Sequence, residues 1–448
     1  MKTYLFSILI LVVSNSQAQY SHTFTLAAHA NIEVENDGYI GRGRDVAVGL
    51  DGTVFLAVGS EGSILGSILG TFGLSAYSFN GSSLINTAYA PIDSGQAFDV
   101  AVGPDGIVFL ASSKSGGHHG EPGDDGLRSF IYQDTTFTNT AHIDDNGSAR
   151  SVIVGPDGTV FLASSGDGLR AYSYDGDSFI NTAHIYNGDD AESVAVNSNG
   201  TVFVAYGDSG LYAYRYDDTS FTNIGHINDE GWANGVVVGQ GGTIFLANGE
   251  DGLRAYNFDG VSFTNTAHVN NVDEKGFAHD VTIGLEGTVF LTGGDDGLRA
   301  YDYNGTSFTN TAHIYDSTGS AHGVAVGPDG TIFLANWEGG LVAYTYSPIS
   351  GFADKLLRSP IQFVLSHNYP NPFNPSTTIK YQLPKTSKVD LSIYNLLGQK
   401  VISLVNKKQQ SGQYAIEWDA SGFSTGVYYY QLKTDRGYIK TRKLILLK

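Results

Sequence analysis

The chain has 448 residues, with 57 glycines, no cysteine, one methionine, and 45 acidic against 25 basic side chains. Aromatics at 12% exclude an acidic disordered polymer, and the absence of cysteine excludes disulfide scaffolds, thiolate metal sites and thiol nucleophiles. A net charge of −20 argues against nucleic acid as a partner, because a phosphate backbone demands a basic face.

Residues 1–18, MKTYLFSILILVVSNSQA, place Lys2 ahead of an apolar run from Leu5 to Val13 and end on Ser16-Gln17-Ala18. This order predicts a secretory signal peptide cleaved after Ala18. The run is too short to span a bilayer, no lipidated cysteine follows it, and no later segment reads as a membrane span. Residues 1–353 carry 40 acidic and 11 basic side chains, whereas 5 acidic and 14 basic follow from Asp354 onward. Two parts with different chemistry meet near residues 348–365, read as a linker.

One phrase recurs in the acidic part, Val-x-Val-Gly-x-x-Gly-Thr-Val-Phe-Leu-Ala. Its turn glycine falls at Gly52, Gly106, Gly158, Gly200, Gly242, Gly287 and Gly330, with spacings of 54, 52, 42, 42, 45 and 43. The two long intervals carry insertions, so the underlying unit is about 42 residues. The third copy predicts four strands: Val152–Val154, Thr159–Ala163, Leu169–Tyr174 and Ser178–Ile185. Gly155-Pro156-Asp157-Gly158 and Asp175-Gly176 supply the turns. Glycine-rich repeats of this length, without helices, predict a seven-bladed β-propeller over residues 22–347.

The ends give a second argument for a closed ring. Phe24-Thr25-Leu26-Ala27-Ala28-His29 repeats the fourth-strand phrase Phe263–His268, yet precedes the first copy of strand one. The seventh copy stops after its third strand, Leu341–Tyr346. The N-terminal strand is therefore expected to complete the last blade. The third-strand phrase Asp-Gly-Leu-Arg-Ala-Tyr, at Asp167–Tyr172, Asp251–Tyr256 and Asp296–Tyr301, resembles the repeats of secreted bacterial LVIVD-type propellers. That resemblance implies the fold and carries little about activity.

Histidine ends the fourth strand at His29, His142, His184, His226, His268 and His313, with Tyr89 in the first copy. Radial symmetry keeps these imidazoles apart, so they read as hydrogen-bonded structure rather than metal ligands. Arg128, Arg170, Arg254 and Arg299 are expected to pair with nearby loop aspartates. Asp144-Asp145-Asn146-Gly147 and Asp189-Asp190 offer oxygen ligands for calcium, but without the spacing of a dedicated loop.

Function in a propeller is sought where the blades differ. Just before strand one the variable position reads Arg44, Phe98, Arg150, Glu192, Asn234, His279 and His322. Trp232 and Trp337 fall in neighbouring loops where other copies hold small or polar residues. Together these nine residues form a candidate ligand-binding ring at a channel mouth, with tryptophans as stacking platforms for sugar or peptide; the bland alternative is that loops vary freely and tryptophan plugs gaps. Of the insertions, Gly59–Phe72 is apolar, and Ser115–Asp125 gives a weak metal candidate in His118, Glu121 and Asp124. Within the propeller repeats, residues 22–347, local hydrolase motifs are missing, with no Gly-x-Ser-x-Gly and no His-Glu-x-x-His.

From Ser366 the text changes to alternating strands: Thr378–Leu383, Val389–Tyr394, Gln399–Asn406, Gly412–Trp418, Gly426–Lys433 and Tyr438–Leu447. They predict a small Ig-like β-sandwich with Trp418, Ile393, Val401 and Tyr428 in its core. The stretch 366–448 closely resembles the type A C-terminal sorting domain of the bacterial type IX secretion system. The resemblance rests on the opening Asn368–Ser376, with Pro370, Asn371, Pro372 and Phe373, then on Tyr394–Val401 with Gly398, Trp418–Gly422, Gly426–Tyr428, and the ending with Arg442 and Lys443. It implies passage through the periplasm to the outside, the type IX machinery as partner, and release or attachment to surface lipopolysaccharide. The combined expectation is an exported extracellular or cell-surface propeller that binds a glycan, peptide or protein ligand, without a required cofactor. The alternative is a propeller hydrolase or lyase acting on an extracellular substrate.

Overall fold

The turns show how each repeat folds as an antiparallel meander. In the third copy Gly158, at φ +90°, donates its N–H to Gly155 O, and Asp157 Oδ1 accepts from Thr159 N at 3.0 Å. The same left-handed glycine stands at the other six repeat turns. That conformation is nearly free for glycine and costly for other residues. The computed structural model describes residues 20–32, 41–59, 72–92, 96–113, 126–144, 147–239, 241–270, 276–315, 317–348, 363–365, 368, 370–383, 385–410 and 412–447. The expected signal peptide and residues 349–362 lie outside these. The chain divides into two units, Met1–Ile349 and Ser350–Lys448.

The first unit holds seven four-stranded antiparallel sheets. Blade 3 is Ser148–Val154, Val160–Ser165, Gly168–Tyr174 and Phe179–Ile185, paired in chain order. First strands of successive blades lie side by side, and Val324–Val326 of blade 7 returns to Arg42–Val48 of blade 1. Closure is the expected one. His22–Ala30 pairs antiparallel with Leu341–Pro348, with Phe24 opposite Tyr346 and His29 opposite Val342. The second strands are buried on both faces, as for Val160, Phe161, Leu162 and Ala163, because each sheet is covered by a neighbour on either side.

Two features repeat at every blade interface. The phenylalanine of the second strand meets, edge to face, the ring near the end of the next blade's third strand. These pairs are Phe55–Tyr132, Phe109–Tyr174, Phe161–Tyr216, Phe203–Phe258, Phe245–Tyr303, Phe290–Tyr346 and Phe333–Phe79, at 5.2–5.7 Å and 85–89°. The fourth strand carries a one-residue bulge. In blade 3, Ala171 faces Ala183 and Tyr172 faces Asn181, so Thr182 is the extra residue. Released from the ladder, Thr182 hydrogen-bonds the Tyr216 hydroxyl of blade 4 at 2.5 Å. Thr87–Tyr132, Thr140–Tyr174, Thr266–Tyr303 and Thr311–Tyr346 do the same. At the two remaining interfaces both partners are apolar, Ile224 with Phe258 and Ala27 with Phe79, each pair sharing one hydrophobic cluster.

The second unit has a three-stranded sheet of Val364–Leu365, Ser376–Leu383 and Gly412–Asp419. A four-stranded sheet contains Lys400–Gln409, Ser387–Tyr394, Gly426–Thr434 and Ile439–Leu446. Trp418, Ile393 and Tyr428 are buried as expected, whereas Val401 only packs against the core from a half-exposed position. The opening motif is a clasp. Asn371 Oδ1 accepts from Ile445 N at 2.9 Å, Phe373 N donates to Ile445 O, and the Phe373 ring packs on Trp418. Asn368 donates to Thr377 Oγ1 and Pro370 O, and Arg442 Nε donates to Leu365 O. Gly398 takes φ +75° in the turn from Asn395, and Lys443 lies opposite Tyr429 in the last hairpin.

Two measurements test the ring. A chain starting at Asn31 leaves the edge Leu341–Pro348 unpaired and unburies the Phe24 site; its melting temperature should fall, with hydrogen exchange rising beyond blade 7. An unchanged midpoint would show that closure by this strand is dispensable. Thr182→Val should cost about 1 kcal/mol by leaving the Tyr216 hydroxyl without its partner. Thr182→Ile with Tyr216→Phe should recover most of that loss, as the Ile224–Phe258 interface already does.

Candidate functional site

The variable residues sit at one mouth of the channel because of a second bulge. In blades 1, 2 and 3 the first strand starts earlier than the repeat phrase suggests. Arg44, Phe98 and Arg150 are skipped by the register there: Gly43 faces Val58 while Asp45 faces Ala57, and likewise in the other two. The extra residue leaves the ladder and turns its side chain into the mouth. In blades 4 to 7 the first strand starts later, and Glu192, Asn234, His279 and His322 lie just ahead of it.

These residues join into one arc. The His279 and His322 rings stack at 4.3 Å, and His322 stacks on Trp337 at 4.0 Å. The Arg44 guanidinium lies 4.1 Å from the Trp337 ring centre and 5.1 Å from that of Phe98. Arg150 covers Phe98 at 4.5 Å, and its Nε lies 3.9 Å from Glu192 Oε2. Arg44 Nη2 donates to Gln96 Oε1 at 3.0 Å, and Asn234 Nδ2 donates to Ala278 O at 2.9 Å beside His279. Apart from buried Gln96, these side chains are half-buried, as befits the lining of an opening.

Two residues outside the expected set complete the arc. Arg42 lies 4.9 Å from the Trp337 ring centre and pairs with Glu338 at 2.7 Å, and Phe277 tilts onto His279 at 5.2 Å. Both occupy the repeat position before the small residue, otherwise Gln96, Ser148, Asp190, Trp232 and Ser320. Trp232 is not part of the run. Its ring lies over Gly207, where an added Cβ would come within 2.9 Å of Trp232 Cζ2. Trp337 stands at φ +42° and exchanges backbone hydrogen bonds with Gly43; the corresponding positions in blades 4, 5 and 6 are Gly207, Gly249 and Gly294, all left-handed. A non-glycine residue there carries about 1–2 kcal/mol of strain.

Immediately below the mouth lies a column that the repeat alignment contains but the sequence reading passed over. Asp45 Oδ2 accepts Val100 N at 3.2 Å, Asp99 Oδ2 accepts Val152 N at 2.7 Å, and Asp280 Oδ2 accepts Val324 N at 2.9 Å. Each bond crosses to the next blade. Ser151 and Ser193 do the same with Val194 N and Val236 N. The column ends in Gly235 and Gly323, where a Cβ would strike the following blade near Asp280 and Asp45.

Burial decides the ionisation of this region. Desolvation first, then the charge and hydrogen bond of Asp99, raise the Asp45 pKa well above the carboxylate range. Desolvation lifts Asp280 to about 6 against the pull of its two N–H donors. His279 is pushed down to about 4 by desolvation and then by the Arg44 charge, partly opposed by Asp295. His322 is also lowered, by desolvation and then by His279, Arg44 and Arg42. Glu192 is raised by desolvation, with Arg150 opposing. The site therefore presents two neutral imidazoles beside guanidinium cations near neutral pH.

The remaining repeated polar residues are structural. His184, His226, His268 and His313 each contact a backbone carbonyl seventeen residues earlier at 2.7–2.8 Å. Arg170, Arg254 and Arg299 pair with Asp167, Asp251 and Asp296, as expected. Of the loop aspartates offered for calcium, Asp189 accepts from Ser209 Oγ and Asp190 from Gly166 N, while Asp145 and Asn146 lie outside the described residues. Among the described residues no group of three or more His, Asp or Glu side chains is placed to hold a metal. His118, Glu121 and Asp124, and the interior of the Gly59–Phe72 insertion, lie outside the described residues.

Comparison with known proteins agrees with this architecture. Residues 367–447 match the family of secretion system C-terminal sorting domains. A comparison with curated proteins finds no match. Among solved structures, the chain is similar to a streptogramin B lyase, with 12% identity and TM-score 0.53 over 72% of this chain and 98% of that one. A catalytically inactive histidine-to-alanine variant of virginiamycin B lyase from Staphylococcus aureus, solved with quinupristin, is 13% identical with TM-score 0.54, over 73% and 100%. PorZ, an essential bacterial surface component of the type IX secretion system of Porphyromonas gingivalis, is 12% identical with TM-score 0.50. That match covers 93% of this chain and 61% of PorZ. At these identities the structural likenesses establish fold alone. The chain is a secreted β-propeller protein. Its C-terminal module, residues 367–447, is a secretion system C-terminal sorting domain.

The two shifted groups next to each other predict opposite pH responses. Asp280 binds a proton more tightly when folded, so its stabilising contribution is complete below pH 3.8 and lost as pH rises through about 6. His279 binds one less tightly, so its contribution is complete above pH 6.5 and lost as pH falls towards 4. Asp280→Asn should therefore uncover a stability that rises with pH from 4 to 6.5, where the parent chain is flatter. Urea unfolding across that range measures it; identical profiles would contradict the assignment.

Proposed function

We propose that the protein is an extracellular propeller lyase whose reaction takes place at the channel mouth. The observation that carries the reading is the stacked His279–His322 pair, uncharged near neutrality and flanked by Arg44, Arg42 and Trp337. A neutral imidazole accepts a proton, and a guanidinium beside it stabilises the negative charge that proton removal develops. Glycoside hydrolysis usually needs two opposed carboxylates, and the inward column of variable residues supplies one, Glu192. Proton abstraction needs no second carboxylate. The fold likeness to two lyases points the same way, and the LVIVD-type repeat phrase leaves activity open.

A second reading, binding without turnover, has its own support. The rings of Trp337 and Phe98 already carry guanidinium groups and so present an extended, flat cation–aromatic surface. A glycan, peptide or surface lipopolysaccharide on that surface would serve an adhesive role.

Turnover separates the two. The purified chain, incubated with extracellular glycans and ester-linked peptides, should generate products with a new carbon–carbon double bond, and His279→Ala and His322→Ala should abolish them without lowering the melting temperature. Binding without any such product would favour the second reading. The acid limb of kcat/KM should lie near pH 4 for His279, facing Arg44, Asp295 and His322. Arg44→Gln should move that limb upward by removing a neighbouring positive charge. Trp337→Gly should weaken ligand binding while preserving stability, because the lost ring contacts of about 0.5–2 kcal/mol are offset by relief of left-handed strain.

A further inference from the structure

At each seam of the mouth, the residue before the small residue reaches back to the preceding blade. Ser148 Oγ meets Ser113 Oγ at 2.7 Å, and Asp190 Oδ1 accepts from Gly166 N at 2.8 Å. Gln96 Oε1 accepts from Arg44, and Arg42 pairs with Glu338. Trp232 and Phe277 roof Gly207 and Gly249 with ring carbons, 2.9 Å and 3.0 Å from where a Cβ would stand. Between blades 6 and 7 the partners are Ser320 and Gly294, a short polar side chain against none.

Over Gly294 the roof is polar. A Cβ added there would stand 3.2 Å from His279 Nε2 and 3.5 Å from Ser320 Oγ. One point above the Gly294 backbone is therefore within contact range of both atoms. Stacking on His322 and the tilted contact with Phe277 fix the imidazole plane, and the edge carrying Nε2 and Cδ2 faces this point. Neither Nε2 nor Oγ has a hydrogen-bond partner among the described residues. Both residues are half-buried at the opening. A position without a side chain, bordered by two unused polar atoms, is the form of a ligand subsite.

We infer that the niche over Gly294 seats the reacting carbon of the substrate and that Ser320 is the oxyanion donor of the elimination. The assignment rests on the lyase reading and adds a second residue to it. The substrate must then carry a hydrogen on the carbon next to a carbonyl and an oxygen leaving group on the carbon beyond. His279 Nε2 removes that hydrogen as a proton, and the C–H electron pair moves towards the carbonyl oxygen. The Ser320 hydroxyl donates to this oxygen as its negative charge develops. The charge then returns to form the carbon–carbon double bond as the carbon–oxygen bond breaks. The leaving oxygen departs with the bonding pair, and its charge is balanced by the imidazolium proton, passed on directly or through solvent. Atoms and charge balance without an oxidant, a reductant or added water. The step uses two unpaired polar atoms and leaves the Arg42–Glu338 and Arg150–Glu192 pairs in place.

The test uses the full-length purified chain, with an O-acylseryl peptide as the carbonyl probe and diethyl pyrocarbonate as a probe of imidazole access. Ser320→Ala should lower kcat about 10²-fold with KM nearly unchanged, as for loss of one oxyanion donor. Gly294→Ala should abolish carbethoxylation of His279 while labelling of His322 stays as in the parent, read by mass spectrometry of the two peptides. A side chain is compatible with that slot, because Trp337 fills it in blade 7. Ser320→Leu fills the niche from the other side and should protect His279 equally; melting curves confirm that each variant folds. Parental kcat in Ser320→Ala, with turnover lost in His279→Ala, would keep the lyase reading and overturn the role of Ser320. No turnover by the parent chain would remove the lyase reading and that role with it, and protection of His279 would keep the niche alone. Unchanged labelling of His279 in both Gly294→Ala and Ser320→Leu would overturn the niche, whatever the turnover.

Discussion

Seven edge-to-face ring pairs, one at each blade interface, are the contact on which the rest of the first unit depends. Each is worth about 0.5–1.5 kcal/mol beyond the area it buries. A sheet in this ring has no core of its own and buries its faces only against its neighbours. The phenylalanine of one blade therefore fixes the angle at which the next is laid down. Every interface must have the same angle for the ring to close, and the near-constant geometry of the pairs, 85–89° between planes, is the structural form of that requirement. The threonine–tyrosine contacts act alongside. At the two interfaces where threonine is missing, the tyrosine hydroxyl is missing too, so no interface is left with half of the polar pair.

Bulges translate this regular frame into two different jobs. In the fourth strand the extra residue is always turned towards the next blade, and its chemistry is almost uniform. In the first strands of blades 1 to 3 the extra residue is turned into the channel mouth, and its chemistry is free to vary. One local device thus serves packing at the rim and display at the centre. The backbone that carries Arg44, Phe98 and Arg150 is anchored by strand pairing on one side and by the Asp45, Asp99 and Ser151 bonds to the next blade on the other. A mouth built on such anchors holds its side chains with little loss of entropy on binding.

Most of the fold was legible because repetition turns weak local signals into strong ones. A single turn glycine is ambiguous; seven at matching positions, four of them preceded by Asp, are not. The stray phrase Phe24–His29 revealed closure because it had no partner in its own neighbourhood. The ring of variable residues was legible by the reverse logic, since departure from a repeat marks a position that packing does not dictate. What was missed lay in columns of mixed type. Asp45, Asp99, Ser151, Ser193 and Asp280 look unrelated until their shared acceptor role across the blade interface is seen, and Gly235 and Gly323 are the gaps that make room for Asp280 and Asp45. The early start of three first strands escaped because a bulge breaks the alternation that predicts a strand. Trp232 and Trp337 looked equivalent as rare aromatics, but one covers a glycine of the preceding blade and the other replaces one.

Desolvated carboxylates bear on the charge at the mouth. Asp45 and Asp280 adjoin Arg44 and His279 in the chain, and ionised carboxylates there would cancel much of the positive potential around Trp337. Desolvation raises both pKa values, well above the carboxylate range for Asp45 and to about 6 for Asp280, against the pull of the backbone N–H groups. Desolvation holds the two imidazoles uncharged, and the Arg44 guanidinium adds to it. The opening of a strongly acidic protein thus gathers Arg42, Arg44 and Arg150 beside two uncharged imidazoles. The same gathering sets the strain at Trp337 in context. Glycine would fit that left-handed position at no cost, yet the ring placed there is the one surface that both arginines and His322 share.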